Sequence, residues 1–212
     1  MGKKVAGRMI AAQLRIGGLL AAAILLAACS TAPPSQVENV CAIFDEHRGW
    51  YHDAKDAEER WGIPLSVLMA FSYQESGFKA RAKPERTKLL WIIPWRRPST
   101  AYGYTQALDT TWREYQRATG RSRARRHNFD DAMDFIGWYN RRSADQLGLP
   151  RNDAYSLYLA YHEGVGGFRR GTYRGKRWLQ DAARRVHSRA YAYQTQLAGC
   201  EKRLSRPWWW PF

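Results

Sequence analysis

Residues 64–78 read PLSVLMAFSYQESGF and predict the helix around which the domain is built. Proline suits the first turn of a helix, where its missing N–H would have no partner, and glycine suits the end. The predicted helix therefore begins at Pro64 and ends at Gly77. Glu75 follows Leu68 by seven residues and Met69 by six, so it shares their buried face.

A carboxyl group on a buried helix face has unusual acid–base properties. Loss of water disfavours the ionised form, which raises the pKa and suits Glu75 to donate a proton near neutral pH. A single Glu near a helix end is more often an ordinary surface charge. The position of Glu75 alone therefore leaves both interpretations open.

The pattern on either side is helical almost throughout, which predicts a mainly α fold (α+β with a minor β element near residues 85–107). Between the helices we expect a loop or small hairpin at 79–100 and a basic linker at 120–127. Asn128 and Asn152 are candidate N-caps. Besides the helix that contains Glu75, helices are expected at 36–60, at 109–119, from Asn128, from Asn152 and at 176–197.

The chain carries 34 Lys and Arg against 19 Asp and Glu, a formal charge of +15. Such a charge favours an anionic partner, which is a nucleic acid, an anionic lipid surface or an acidic polymer. The arginines between Arg121 and Arg126 fit a nucleic-acid site or a solvated basic face. Charge does not choose among these partners.

The first 29 residues indicate the compartment. Basic residues precede the uncharged run IGGLLAAAILLA (16–27), which is short for a membrane span but suits a signal peptide. The last two residues of this run and the two that follow it read LAAC (26–29), which resembles the lipobox of bacterial lipoproteins. This resemblance implies a signal peptide at 1–28, lipidation of Cys29 and a tether at 29–37. A retained membrane anchor is the alternative.

Ser30 favours attachment to the outer membrane, facing the periplasm, because in such lipoproteins Asp at this position often signals inner-membrane retention. Export argues against a nucleic-acid partner.

If Cys29 is lipidated, Cys41 and Cys200 are the thiols that remain in an oxidising compartment, and we predict a disulfide between them. Two buried free thiols are the alternative. We predict no metal site, because no Cys or His cluster has ligand spacing.

Two further segments, STAYGYTQA (99–107) and AYHEG (160–164), follow the ESGF motif at 75–78. In this order the three segments resemble the motifs of soluble-lytic-transglycosylase-type enzymes, in the lysozyme-like superfamily. The resemblance implies a domain at 38–204 that binds peptidoglycan glycan strands without a cofactor. It makes Glu75 the catalytic acid and base, and makes these residues substrate-binding: Ser76, Gly103, Tyr104, Thr105, Gln106, Tyr161 and His162.

The resemblance also implies how individual side chains are placed around Glu75. Tyr161 is expected close to the Glu75 carboxyl, where it would help to orient it. Tyr104 and Thr105 replace Leu and Met of the family, which predicts a more polar cleft wall, and His162 replaces Asn. Glu163 is a conceivable second carboxylate.

The implied reaction is cleavage of the MurNAc–GlcNAc β-1,4 bond with formation of 1,6-anhydro-MurNAc by one Glu used twice. Hydrolysis by a lysozyme-type muramidase and a non-catalytic wall-binding lipoprotein are the alternatives.

Two apolar segments fall outside these motifs. The first is LLWIIPW (89–95), for which core packing is the expectation, and the second is the aromatic tail at 205–212.

Overall fold

The computed structural model of the chain describes residues 32–85, 88–89, 93–94 and 99–206. These residues form a mainly α fold with one short hairpin, as the sequence pattern predicts. The helices of the described residues are α1 (Val40–Glu46), α2 (Arg48–Trp61), α3 (Leu65–Ser76), α4 (Asp109–Thr119), α5 (Phe129–Leu147), α6 (Ala154–Arg170) and α7 (Arg177–Leu204). The strands are β1 (Lys88–Leu89) and β2 (Ile93–Pro94), and a 3-10 turn spans Gly103–Thr105.

Helix α3 is the centre of the core. Every residue from Leu65 to Ser72 is buried, so the helix is covered on all sides. It packs against α2, α5, α7 and the 3-10 turn. Gly77 ends the helix in the left-handed conformation (φ 58°), and its N–H bonds to the carbonyl of Tyr73. The buried part of α3 thus fixes the position of Glu75 in the last turn.

Most of the predicted helix ends agree with the structure, with three corrections. Asn128 caps α5 by accepting a hydrogen bond from the N–H of Asp131. The cap of α6 is Asp153, one residue after the predicted Asn152, and its carboxylate accepts from the N–H of Ser156. The predicted helix at 36–60 begins only at Val40, after its cap Asn39, and is interrupted at His47, whose backbone is not helical (φ −124°, ψ 71°). Helix α7 extends to Leu204, seven residues beyond its predicted end.

The β element is small. Strands β1 and β2 pair antiparallel, with Lys88 opposite Pro94 and Leu89 opposite Ile93. An isolated bridge between Tyr102 and Ala107 closes the segment that contains the 3-10 turn. Of the apolar segment 89–95, only the backbone at 89 and 93–94 is described, so the expectation that it packs on the core lies outside the described residues.

A disulfide joins Cys41 of α1 to Cys200 of α7, as predicted. Cys200 lies within α7 and not after the last helix, since α7 is longer than the pattern indicates. The bond closes a loop with a sequence separation of 159 residues. In the chain-entropy model such a loop contributes about 5 kcal/mol by restricting the unfolded chain.

From Pro33 onward the described residues belong to one compact unit. The predicted signal peptide, Cys29 and residues 207–212 of the tail lie outside the described residues. In the part of the chain that is described, no helix is both long and apolar enough to cross a membrane.

Candidate active site

The candidate site is a groove of about 460 Å³ at the C-terminal end of α3. It brings together all three sequence segments that resemble the family motifs. The groove is lined by Glu75, Ser99, Ala101, Gln106, Ala107, Leu108, Thr111, Phe135, Tyr139, Tyr161, His162, Glu163 and Gly164.

Glu75 is partly buried and lines this groove. Burial raises the pKa of its carboxyl to about 7, and a hydrogen bond from Tyr158 opposes this rise only in part. The Tyr158 hydroxyl donates to Oε1 of Glu75 over 2.8 Å. A carboxyl with this pKa is protonated in a large fraction of molecules at neutral pH, and it can therefore act as a general acid.

Tyr158 was not among the predicted site residues. Tyr161 lies close enough to Glu75 to feel its charge, as expected, but it is Tyr158 that donates the hydrogen bond to the Glu75 carboxyl. Tyr161 lines the groove, but its hydroxyl donates to the backbone carbonyl of Thr105 over 2.7 Å. The edge of Phe71 packs against both tyrosine rings, with centroid distances of 5.3 and 5.4 Å. Tyr158 therefore contacts the carboxyl directly, while Tyr161 holds the facing turn.

Burial also affects the two tyrosine hydroxyls. It raises the pKa of Tyr158 above its ordinary value, and the neighbouring Glu75 raises it further. The pKa of Tyr161 is raised for the same two reasons. Both hydroxyls therefore remain neutral donors over the range in which Glu75 titrates.

The 3-10 turn presents a different face to the groove than expected. Gly103, Tyr104 and Thr105 are all buried. Of the four predicted site residues from 103 to 106, only Gln106 lines the groove. The ring of Tyr104 packs in the core, edge-on to Trp50 at 5.7 Å and to Phe129 at 5.3 Å. The expectation that Tyr104 and Thr105 make the cleft wall more polar is therefore wrong, because both side chains point into the protein.

Gln106 and Gly103 fix the shape of this wall. The Gln106 amide donates to the carbonyls of Ala82 (3.1 Å) and Gly103 (2.9 Å). Gly103 has a φ of 75°, and a Cβ at this position would lie 2.1 Å from the carbonyl oxygen of Arg126. Only glycine fits there, so the glycine of this motif has a steric cause.

Ser76, the motif neighbour of Glu75, does not line the groove. It is buried, and its hydroxyl donates to the carbonyl of Ser72 one turn earlier on α3 over 2.9 Å. This bond satisfies the hydroxyl within the last turn of the helix. A direct substrate contact by Ser76 has no support in this geometry.

The groove is also lined by a second carboxylate, Glu163, whose surroundings are polar. Its oxygens accept hydrogen bonds from Lys176 at 2.7 and 2.9 Å and from the hydroxyl of Thr172. The Lys176 ammonium and the Thr172 hydroxyl hold the pKa of Glu163 below its usual range. His162 lies at the groove, with Nδ1 3.4 Å from Glu163 and its ring against the exposed Trp178. Glu163 is thus an ionised group at neutral pH.

Among the described residues, no group of three or more His, Cys, Asp or Glu is arranged to hold a metal ion. The groove instead combines one protonatable carboxyl, neutral hydroxyl donors and aromatic rings. Groups of this kind suit proton transfer to a sugar oxygen and stacking against sugar faces.

The fold and the groove together define a mainly α, lysozyme-like domain with one protonatable Glu at the end of its central helix. The family model described as "Transglycosylase SLT domain" matches residues 18–200 of the chain. The chain belongs to this family. Membership supports a transglycosylase-type enzyme that acts on peptidoglycan. No curated protein and no solved structure matches the chain at a significant level.

Proposed function

We propose that the protein is a lytic transglycosylase that cleaves the MurNAc–GlcNAc β-1,4 bond of peptidoglycan and leaves a 1,6-anhydro-MurNAc end. The observation that supports this reaction best is the surroundings of Glu75. Its carboxyl opens to the groove, has a pKa raised to about 7 by burial, and is hydrogen-bonded by a neutral tyrosine.

In the proposed reaction Glu75 transfers two protons. Its carboxyl first donates a proton to the glycosidic oxygen, and the bond between this oxygen and C1 of MurNAc breaks. The 6-hydroxyl of the same sugar then attacks C1, and the Glu75 carboxylate accepts the hydroxyl proton. The cycle consumes no water and returns Glu75 to its protonated form. Because the nucleophile belongs to the substrate, its attack is intramolecular and gains the entropic advantage of such reactions.

A lysozyme-type hydrolase remains the second candidate, because Glu163 faces the same groove. In common glycosidases a second carboxylate acts as a nucleophile or activates a water. Glu163 is ionised, as either role requires, but its oxygens are already bonded to Lys176 and Thr172. These bonds lower its basicity, which favours the single-carboxylate reaction.

Mass spectrometry of the products separates the candidates. Purified peptidoglycan is incubated with the full-length chain, and the released muropeptides are analysed with and without borohydride reduction. We expect ends that are one water lighter than the hydrolysis product and resist reduction. Reducible ends as the main product would identify a hydrolase. Binding of peptidoglycan without release of fragments would identify a non-catalytic wall-binding protein.

We also propose that the mature protein is a lipoprotein attached through Cys29, facing the periplasm and anchored in the outer membrane. The motif LAAC (26–29) after an uncharged apolar run supports this location. In the native host, wild-type protein should fractionate with outer membranes, and Cys29→Ala should remain unprocessed or become soluble. A Cys29→Ala protein that has the mature size and stays in the membrane fraction would contradict lipidation.

A further inference from the structure

A second cavity lies beside the catalytic groove and has a different chemical character. It measures about 440 Å³, and Ser99 and Ala101 line both cavities. A polymer bound in the groove can therefore extend into it. Lys83, Tyr102 and Arg126 supply most of its other side chains.

The two cations of this cavity have different tasks. Arg126 serves the fold, since it donates to the carbonyls of Thr100 and Ala107 and, over 2.6 Å, to the carboxylate of Asp109. Asp109, the one carboxylate among the described residues that line the cavity, is thereby neutralised. Lys83 is exposed, and within the described residues no carboxylate pairs with it.

Lys83 is also held in place, which distinguishes it from an ordinary surface lysine. Its ammonium lies 5.5 Å from the centre of the Tyr102 ring. The backbone carbonyl of the preceding residue, Ala82, accepts hydrogen bonds from the N–H of Gly103 (2.9 Å) and the amide of Gln106 (3.1 Å). The segment that carries Lys83 is therefore attached to the same turn that forms the catalytic wall.

The field around this cavity is positive beyond its own lining. His127 lies against Tyr102, with a centroid distance of 6.2 Å. The pKa of His127 is lowered, first by burial and then by the charges of Arg81 and Arg125. The cavity thus combines an available ammonium, the hydroxyls of Ser99 and Thr100, and an excess of positive charge. This combination recognises a carboxylate.

We propose that this cavity is a subsite for a carboxylate of the peptide stem of the substrate, with Lys83 as its ion-pairing residue. The inference rests on the proposed function, because the ligand must belong to the polymer that occupies the catalytic groove. The continuity through Ser99 and Ala101 favours the stem over a separate anion such as a lipid headgroup. The enzyme therefore distinguishes peptide-bearing glycan from bare glycan.

Binding tests this subsite independently of catalysis. Full-length protein with Glu75→Gln is titrated with soluble glycan strands that carry their stems, and with the same strands after an amidase has removed them. Further titrations use Lys83→Gln, Lys83→Arg and Lys202→Gln in this background. Lys202→Gln is the matched control, because it removes the same charge from an exposed position on α7 that lines neither cavity.

We expect Lys83→Gln to weaken binding of stem-bearing strands by about two- to fivefold, the upper part of the range for one exposed ion pair. It should leave binding of bare strands unchanged, Lys83→Arg should retain most of the affinity, and Lys202→Gln should resemble the parent. Equal weakening for both strands, or no weakening, would overturn the subsite. So would a Lys83-dependent affinity for phosphatidylglycerol vesicles with none for the stem. The proposed reaction is judged separately, by the end groups of the wild-type products.

Discussion

Two carboxylates line the groove, Glu75 on α3 and Glu163 on α6, and their surroundings are opposite in character. On the α3 side, Glu75 has lost water and gained one neutral donor, so its pKa rises to about 7. On the α6 side, Glu163 has a lysine and a threonine as donors, so its pKa falls. Pairs of carboxyl groups whose surroundings separate their pKa values divide acid from base or structural roles. The comparison supports the proposal that Glu75 donates the proton and that Glu163 has a structural role.

Substitution of the two carboxylates should give very different losses of activity. Glu75→Gln keeps the shape of the side chain but removes the transferable proton, and general acid–base catalysis by one group contributes about 10²- to 10⁴-fold. We expect a loss at or beyond the upper end, since Glu75 acts twice in the proposed reaction. Glu163→Gln should cost less than about tenfold. The measurement is the initial rate of muropeptide release, and similar losses in both variants would remove the distinction.

The pH dependence should show one ionisation of the enzyme and not two. In the proposed reaction the reactive form has a protonated Glu75, so kcat/KM should be level below pH 7 and fall tenfold per pH unit above it, reaching about a hundredfold loss at pH 9. Glu163 has a lowered pKa and adds no limb between pH 5 and 7. A second limb on the acidic side that disappears in Glu163→Gln would show that Glu163 acts as a base.

The two carboxylates should also affect stability with opposite signs. The pKa of Glu75 is raised from 4.5 to about 7 in the folded state, so ionisation destabilises the fold progressively as pH rises through this range. The penalty is at most about 3 kcal/mol above pH 7, and Glu75→Gln removes it. Glu75→Gln should therefore be more stable than wild type at pH 8 and similar to it at pH 4.

Glu163 has the reverse linkage. Its pKa is lowered, so its contribution to stability is present at neutral pH and is lost as pH falls through the pKa of the folded state. Because Lys176 is 41% exposed, Glu163→Gln should cost only about 1 kcal/mol at pH 7. Urea unfolding at pH 4 and pH 8 measures both effects. Destabilisation by Glu75→Gln at pH 8 would show that its carboxyl is not desolvated.

The sequence predicted those parts of the site that depend on local signals. Pro64 and Gly77 gave the bounds of α3, and Asn128 gave the start of α5. The pairing of Cys41 with Cys200 followed from counting the thiols that would remain if Cys29 is lipidated. The helix bounds depend on interactions within a few residues of the sequence. The disulfide was predictable because two remaining thiols allow only one intramolecular pair.

The sequence did not predict contacts that depend on tertiary packing. Tyr158 and Tyr161 lie three residues apart on α6, and periodicity cannot tell which of them reaches Glu75. The inward direction of Tyr104 depends on positive φ values at Gly103 and Gln106, which turn the chain sharply. Glu163 acquires its partner Lys176 from beyond the break at Gly164, where the helical path is interrupted.

The smallest expected effect concerns these two tyrosines, and it tests how Glu75 is positioned. Tyr158→Phe removes the hydrogen bond that favours the ionised carboxyl, so the pKa of Glu75 should rise and the alkaline limb of the pH profile should move to higher pH. We expect Tyr158→Phe also to reduce the rate at pH 7 about three- to tenfold through poorer orientation of the carboxyl.

Tyr161→Phe is the matched control. It removes one hydroxyl from the same helix but breaks a bond to the carbonyl of Thr105 instead. Tyr161→Phe should leave the alkaline limb of the pH profile in place and raise KM, since it loosens the turn that carries Gln106. A displaced limb in Tyr161→Phe, with none in Tyr158→Phe, would show that Tyr161 and not Tyr158 controls the ionisation of Glu75.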